Sequence, residues 1–334
     1  MSKPEIYITR EIPERGLKII NQRFKAVVWP EYAPPPKNVI KENVKNADGL
    51  VSLLSDKIDA EIFEEAPELK IVSQFAVGFD NIDVKEATKR GVYVTNTPGV
   101  LTETTADFAW ALLMAVARRV VEADKYIRTG KWKVGWHPQM LSGRDVYGGT
   151  IGIVGAGRIG SAIARRAKGF DMRILYYDVV PRPDLERDAD AERVDLDTLL
   201  KESDFVSVHV PLMKATYHLI DEDKLKLMKD SAFLINNSRG PIINEQALYK
   251  ALKERSIAGA ALDVFEQEPT PENNPLLELE NVVVSPHISS SSYETRSRMA
   301  EIVAENLIEF FEGRKPPNLV NSEVTQVRPL TELF

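Results

Sequence analysis

One ten-residue stretch, Ile151-Gly152-Ile153-Val154-Gly155-Ala156-Gly157-Arg158-Ile159-Gly160, limits what this chain can become more than any other. It reads as a strand running into G-x-G-x-x-G and then into a helix, Ser161 to Lys168. Gly155 allows a tight turn out of the strand. Gly157 has no Cβ, so a pyrophosphate can approach the backbone. Gly160 lets the helix pack close against the sheet, and the unpaired N–H groups at the helix start hold phosphate charge. By itself this pattern is often only a turn. Here a second strand, Arg173 to Tyr177, follows and ends in Asp178. That acid is placed to hold the hydroxyl pair of a ribose, so the whole unit predicts a dinucleotide site.

The rest of the chain alternates strand and helix around that unit. A chain of 334 residues exceeds what one ordinary core needs, which predicts two domains. In residues 1 to about 100, strands are expected at 5–9, 25–29, 49–54, 69–75 and 92–95. Helical spacing lies between them at 13–21, 39–46, 58–66 and 84–90. That alternation predicts a parallel sheet, and none of it contains a phosphate loop. After Thr97-Pro98-Gly99, a long helix is expected from Thr102 to Val121, apolar on nearly every face. Such a helix is either a core element or one shared with a partner subunit. Residues 123–141, with Trp132, Trp136 and His137, read as an arm or loop. In the second half, strands are expected to end at Asp178, His209, Asn236, Asp263 and Pro286, completing a doubly wound sheet. A loop is expected at 179–183 and a last amphipathic helix at 293–312.

Composition narrows the function classes. A net charge of −7 argues against a broad phosphate-backbone footprint, so no nucleic-acid partner is expected. No apolar run approaches the roughly 18 residues that span a membrane, and the N-terminus lacks the pattern of a signal peptide. A cytoplasmic location is therefore expected. With no cysteine and four histidines that form no H-x-x-x-H or H-E-x-x-H motif, no metal site is expected.

Polar residues recur past the carboxyl ends of strands in the second half, where open α/β sheets place their ligands. Three stand out: Arg239 before Gly240, Glu268 in Phe265-Glu266-Gln267-Glu268-Pro269, and His287 after Ser285-Pro286. A permanent cation can hold a carboxylate bidentately, and an imidazole is a proton donor near neutral pH. A carboxylate beside the imidazole would fix its tautomer. Each residue alone has a plainer reading as an exposed polar group. Only their joint placement downstream of the glycine turn favours chemistry. Glu266 and Glu268 could form a solvated acidic turn. His218 keeps the plain reading, His209 is expected to act through its backbone at a strand end, and His137 stays undecided.

The chain resembles the D-isomer-specific 2-hydroxyacid dehydrogenases, most closely their glyoxylate/hydroxypyruvate reductase branch. The resemblance spans nearly all of it. It is carried by Phe75-Ala76-Val77-Gly78-Phe79-Asp80-Asn81-Ile82-Asp83, by 95–107, by the glycine turn, by Asn237-Ser238-Arg239-Gly240, by 260–269, and by Ser285-Pro286-His287-Ile288. It implies an α/β fold of two doubly wound, Rossmann-like domains. The cofactor domain (101–289) is inserted into a discontinuous, flavodoxin-like substrate domain (1–100 and 290–334). It implies that Arg239, Glu268 and His287 are catalytic. A small 2-oxo or 2-hydroxy acid would be held by Leu53, the Val77 and Gly78 amides, Arg239 and His287.

The cofactor residues implied are Thr105, Gly155, Gly157, Arg158, Ile159, Gly160, Asp178, Val179, Val180, His209, Val210, Pro211, Asn237, Ser238, Arg239, Asp263, His287 and Ser289. Asp178 favours NAD(H), since a carboxylate repels a 2′-phosphate; Arg182 could soften that preference, leaving NADP(H) possible. A homodimer is expected. Trp132 and Trp136 would either pack a dimer or cap a neighbouring subunit's pocket. One departure is Ser289, where the family often has glycine, and it predicts altered hydrogen bonding beside the nicotinamide. Two other readings stay open. One is a different substrate within the family, such as D-lactate or phosphoglycerate. The other is an NAD-sensing corepressor, which NADH consumption with a 2-oxo acid would exclude.

Overall fold

A computed structural model describes residues 3–333. The chain divides into two compact units, one formed by Met1–Leu101 with Ser291–Phe334 and the other by Thr102–Ser290.

The first unit is built on β1 (Glu5–Ile8), β2 (Lys25–Val28), β3 (Gly49–Ser52), β4 (Ile71–Gln74) and β5 (Tyr93–Thr95). All pairings are parallel, in the order β2-β1-β3-β4-β5, which is the flavodoxin-like arrangement. The central strands are buried along their length, which suits runs of Ile, Leu and Val covered on both faces. One cover comes from the far end of the chain. Helix Tyr293–Phe311 lies against helix Glu14–Arg23 so closely that a Cβ on Gly16 would fall 2.3 Å from the Ala300 carbonyl oxygen. Phe310 meets the buried Tyr93 ring at 4.9 Å.

The second unit carries β6 (Thr150–Val154), β7 (Arg173–Tyr177), β8 (Glu192–Arg193), β9 (Phe205–Val208), β10 (Phe233–Asn236), β11 (Gly259–Leu262) and β12 (Val282–Val284). Their order is β12-β11-β10-β9-β6-β7-β8, again all parallel. The winding direction reverses between β6 and β9, and ligands of such sheets bind outside the strand ends at that reversal. Helices Thr102–Ala117 and Arg158–Lys168 cover one face through Ala106, Leu113 and Ile163 against Ile151, Ile153 and Phe205. Leu199, Leu248 and Leu252 cover the other face, against Val206, Leu234 and Leu262.

Two segments differ from expectation. The long helix stops at Ala117 rather than Val121, and Arg119 takes a left-handed φ of 55°. The stop has a tertiary cause. The Arg144 N–H reaches back to the Ala117 carbonyl at 2.8 Å, and Gly143 packs where a Cβ would sit 2.4 Å from the same oxygen. A second helix, Val120–Arg128, then occupies the start of what read as an arm, with the Arg119–Glu122 and Arg128–Asp124 pairs along it. Trp132 and Trp136 lie beyond it and are exposed. Past Asp178, the expected loop gives way at Pro183 to a short helix, Pro183–Ala189, with proline in its first turn.

Candidate active site

The glycine turn has the geometry a dinucleotide needs. Gly155 leaves β6 at φ 95°, and a Cβ there would lie 2.8 Å from the His209 carbonyl carbon and the Val210 nitrogen. The turn is thus seated on the end of β9, where the His209 N–H also donates to the Val154 carbonyl at 2.7 Å. A Cβ on Gly160 would fall 2.1 Å from the Gly155 oxygen, so only glycine lets this helix approach. Gly157 has nothing within 4 Å of its Cβ position, and it starts helix Arg158–Lys168 without a side-chain cap. The first-turn amides beside Arg158 and Ile159 therefore face open space, the arrangement that holds phosphate.

Asp178, at the end of β7, accepts from the Ala156 N–H at 2.8 Å and the Val180 N–H at 3.0 Å. An ionised carboxylate offers about four acceptor sites, so capacity for ribose hydroxyls remains. Arg182 is engaged elsewhere: it donates to the Ala156 carbonyl and pairs with Asp184 at 2.7 Å. Arg193 braces the same turn from β8 by donating to the Asp178 carbonyl at 2.9 Å, next to the exposed Val179 and Val180.

Further along the strand ends, Asn237 Nδ2 donates to the Thr105 carbonyl at 3.1 Å. The Asn237 Oδ1 and Thr105 Oγ1 atoms are buried with no hydrogen-bond partner among the described residues. Buried polar atoms left so cost about 1–3 kcal/mol each, and here they belong to two residues singled out for cofactor binding. Together with the glycine turn they fit a nicotinamide dinucleotide. Ser238 Oγ donates to the Val210 carbonyl at 2.5 Å, beside the exposed Pro211. Burial pushes the His209 imidazole down to about 3, so it is neutral, with Nε2 2.7 Å from Ser207 Oγ.

Asp263 is wholly buried and accepts from Ser285 Oγ at 2.6 Å, Ile288 N at 2.9 Å, Ser289 N at 2.8 Å and Ser289 Oγ at 2.5 Å. The Ser289 hydroxyl is thus spent inside the protein. The carboxylate it joins anchors the loop that carries His287, whose own N–H donates to the Asp263 carbonyl at 2.8 Å.

His287 takes a left-handed φ of 53°, and its Nδ1 lies 2.7 Å from Glu268 Oε2. With Nδ1 committed, Nε2 is the nitrogen left to serve a substrate. The other oxygen, Glu268 Oε1, accepts from the Phe265 N–H at 3.1 Å. Burial alone would raise the Glu268 carboxyl. The hydrogen bond and charge of His287, the Phe265 N–H and the Arg239 charge outweigh it and hold this acid below its ordinary range.

Arg239 follows β10, presented by a turn in which Asn236 Nδ2 donates to its carbonyl at 2.9 Å. Its guanidinium Nη1 donates to the Ser238 carbonyl at 2.8 Å. Gly240 then packs on the loop that carries Glu268, since a Cβ there would fall 1.9 Å from the Phe265 carbonyl carbon. Asn236, Ser285 and Gly240 organise the site although none was assigned a role there; Gly240 and Ser285 stood only within the quoted motifs and Asn236 only as a strand end.

In the first unit, the loop after β4 turns its carbonyls inward. The Val77 oxygen accepts from Asn96 Nδ2 at 2.8 Å, and the Gly78 oxygen from Gln74 Nε2 at 3.4 Å. The Leu53 oxygen accepts from Asn81 Nδ2 at 3.0 Å. Among the described residues the Val77 and Gly78 N–H groups donate to no protein acceptor, and both residues are half-buried. A recess of about 650 Å³ in the second unit lies elsewhere. Arg119, Arg144, Phe233, Leu279 and Val282 line it, at the opposite ends of the strands from His287. Among the described residues no cluster of acids and histidines could hold a metal, and no helix is long and apolar enough to cross a membrane.

Comparison with known proteins agrees with this fold. Residues 110–289 match the family described as D-isomer specific 2-hydroxyacid dehydrogenase, NAD binding domain. A glyoxylate reductase of Korarchaeum cryptofilum is 67% identical over 327 residues, covering 98% of each chain. A crystal structure from Thermus thermophilus superposes with a TM-score of 0.90 at 44% identity, covering 95% of this chain and 99% of that one. The NADPH-dependent glyoxylate/hydroxypyruvate reductase of Sinorhizobium meliloti, solved with NADP and malonate, gives 0.86 at 34% identity, covering 97% and 98%.

Proposed function

From a chain that belongs to the D-isomer-specific 2-hydroxyacid dehydrogenases, a family of NAD(P)-dependent oxidoreductases, we infer reduction of glyoxylate, with hydroxypyruvate as a second substrate, to the 2-hydroxy acid. The observation that carries this reading is the 2.7 Å His287–Glu268 pair on the sheet that also bears the glycine turn. A bound nicotinamide dinucleotide supplies the hydride. His287 Nε2 donates the proton to the substrate's carbonyl oxygen, so that no alkoxide accumulates. Glu268, held as a carboxylate, orients the ring through Nδ1. Arg239 and the Val77 and Gly78 amides are assigned to the substrate carboxylate. Thr105, Asn237 and the first-turn amides after Gly157 are assigned to the dinucleotide.

Asp178 supports NAD(H) over NADP(H), because its carboxylate would repel a 2′-phosphate and Arg182 is paired with Asp184. Comparing kcat/KM for NADH and NADPH with glyoxylate tests both points. A clear NADPH preference overturns the cofactor assignment, and no turnover with either overturns the activity. Self-association as a homodimer is supported by a run of exposed apolar residues on one segment: Val120, Val121, Ile127, Trp132, Val134 and Trp136. A mass of one chain, 37.5 kDa, by light scattering would refute it.

A further inference from the structure

A second histidine–glutamate pair lies beside the first. His218 Nε2 is 2.8 Å from Glu266 Oε1, and Glu266 is two residues before Glu268. The same Oε1 accepts from the Glu245 N–H at 3.0 Å, and the Glu245 side chain returns the bond by accepting from the Glu266 N–H at 2.9 Å. Glu245 is in turn held by Asn274 Nδ2 at 2.6 Å. On its other side the Phe265–Glu266 peptide rests directly against Gly240. Every polar tie to this peptide from the brace therefore runs through Glu266 and Glu245.

The orientation of His218 is also determined. Asn244 caps helix Glu245–Lys253 by accepting from the Ala247 N–H with its Oδ1 at 2.9 Å. That leaves its amide nitrogen to face His218 Nδ1 at 3.3 Å. An amide N–H donates, so Nδ1 accepts, and Nε2 carries the hydrogen that goes to Glu266. The Tyr217 ring lies nearly parallel over the imidazole at 4.0 Å, and the His218 N–H donates to the Pro241 carbonyl at 2.8 Å. A residue read from sequence as a plain surface histidine is thus held on three sides.

The consequence reaches the reacting group in one further bond. The Phe265 N–H is the donor to Glu268 Oε1, and Glu268 Oε2 is the partner of His287. That N–H lies in the preceding peptide, joined to the Phe265–Glu266 peptide through the Phe265 Cα, so a shift of the braced peptide turns the donor that aims the carboxylate. We propose that Glu266, with His218 and Glu245, is a positioning residue that sets the aim of Glu268 on His287. This rests on the reductase reading above. A half-exposed hydrogen-bonded pair contributes little to global stability, so the effect is expected in turnover rather than in Tm.

The test uses the full chain with NADH and glyoxylate, comparing wild type, Glu266→Ala, Glu266→Gln and His218→Ala, each alone and with Glu268→Gln. Glu266→Ala is expected to lower kcat about tenfold, because small misplacements of a catalytic group are costly. KM for NADH stays within about twofold, since the glycine turn is untouched. Glu266→Gln keeps an acceptor oxygen and restores most of the loss. His218→Ala removes one tie of the brace and lowers kcat roughly two- to threefold. In the Glu268→Gln background, Glu266→Ala adds less than about a twofold loss, since the two act through one contact. The proposal is overturned by a wild-type kcat in Glu266→Ala, by an equal loss in Glu266→Gln, or by full additivity with Glu268→Gln. Wild-type protein that binds NADH yet reduces no 2-oxo acid overturns the underlying reading and this inference with it. Active wild type with an unaffected Glu266→Ala overturns the brace alone.

Discussion

The pairs His287–Glu268 and His218–Glu266 are alike in chemistry and nearly alike in length, 2.7 Å and 2.8 Å. They share one loop, and both histidines have a left-handed backbone. They differ in what surrounds the second ring nitrogen. His218 Nδ1 faces a donor from Asn244, so both of its nitrogens are consumed within the protein. His287 uses only Nδ1, and among the described residues no side-chain or backbone hydrogen bond to its Nε2 is formed. A histidine with one nitrogen anchored and the other open can transfer a proton; one with both anchored can only hold a position. The glutamates differ likewise. Glu266 spends one oxygen on two donors from separate elements, whereas Glu268 divides its oxygens between Phe265 and His287.

That contrast orders the expected effects of substitution. The largest belongs to His287→Ala, which removes the proton donor and should lower kcat by about 10² to 10⁴ with little change in KM for NADH. Steady-state rates at several pH values measure it. If the two pairs were equivalent, His218→Ala would match that loss instead of the roughly two- to threefold change expected for one tie of the brace.

Next comes Glu268→Gln, with a kcat loss of about ten- to a hundredfold, as part of that general-acid factor. Its stability effect carries a sign. The Glu268 carboxyl is held below its ordinary value of 4.5 in the folded protein, mainly by His287 against the opposing effect of burial. A depressed acid contributes stability that is fully present above its unfolded value and is lost as pH falls through its folded value. The Tm difference between wild type and Glu268→Gln should therefore close as pH falls below about 4.5. A gap that widens as pH falls below that value would reverse the assignment. Smaller again are the effects on the brace, where Glu266→Ala and His218→Ala should alter kcat while leaving that Tm difference in place.

What sequence could and could not convey follows the same division. Gly155, Gly157 and Gly160 were legible because each answers a local backbone requirement within six residues, and the left-handed φ of 95° at Gly155 and the close seat of Gly160 are those requirements. Arg239, Glu268 and His287 were singled out by their joint placement past strand ends downstream of the glycine turn, since each alone reads as an exposed polar group. The brace was not legible. His218 and Glu266 are 48 positions apart, and nothing in either neighbourhood marks the other. The end of helix Thr102–Ala117 escaped for a related reason. Neither glycine nor proline stands at Arg119, and the groups that stop the helix, Gly143 and the Arg144 N–H, arrive from 26 or more residues beyond Ala117. Helical spacing continued past a break that only tertiary contact imposes. Ser289 shows the converse: its departure from glycine was plain, but its direction, inward onto Asp263, depended on a carboxylate 26 positions away.

The central claim is that this chain reduces a 2-oxo acid by protonating the carbonyl oxygen from His287. NADH oxidation in the presence of glyoxylate, measured for wild type and His287→Ala at matched NADH binding, tests it most directly. The account predicts steady turnover by the wild type and a loss of at least about a hundredfold in kcat in the variant. A wild type that binds NADH without consuming it, or a variant with near-normal kcat, would contradict it.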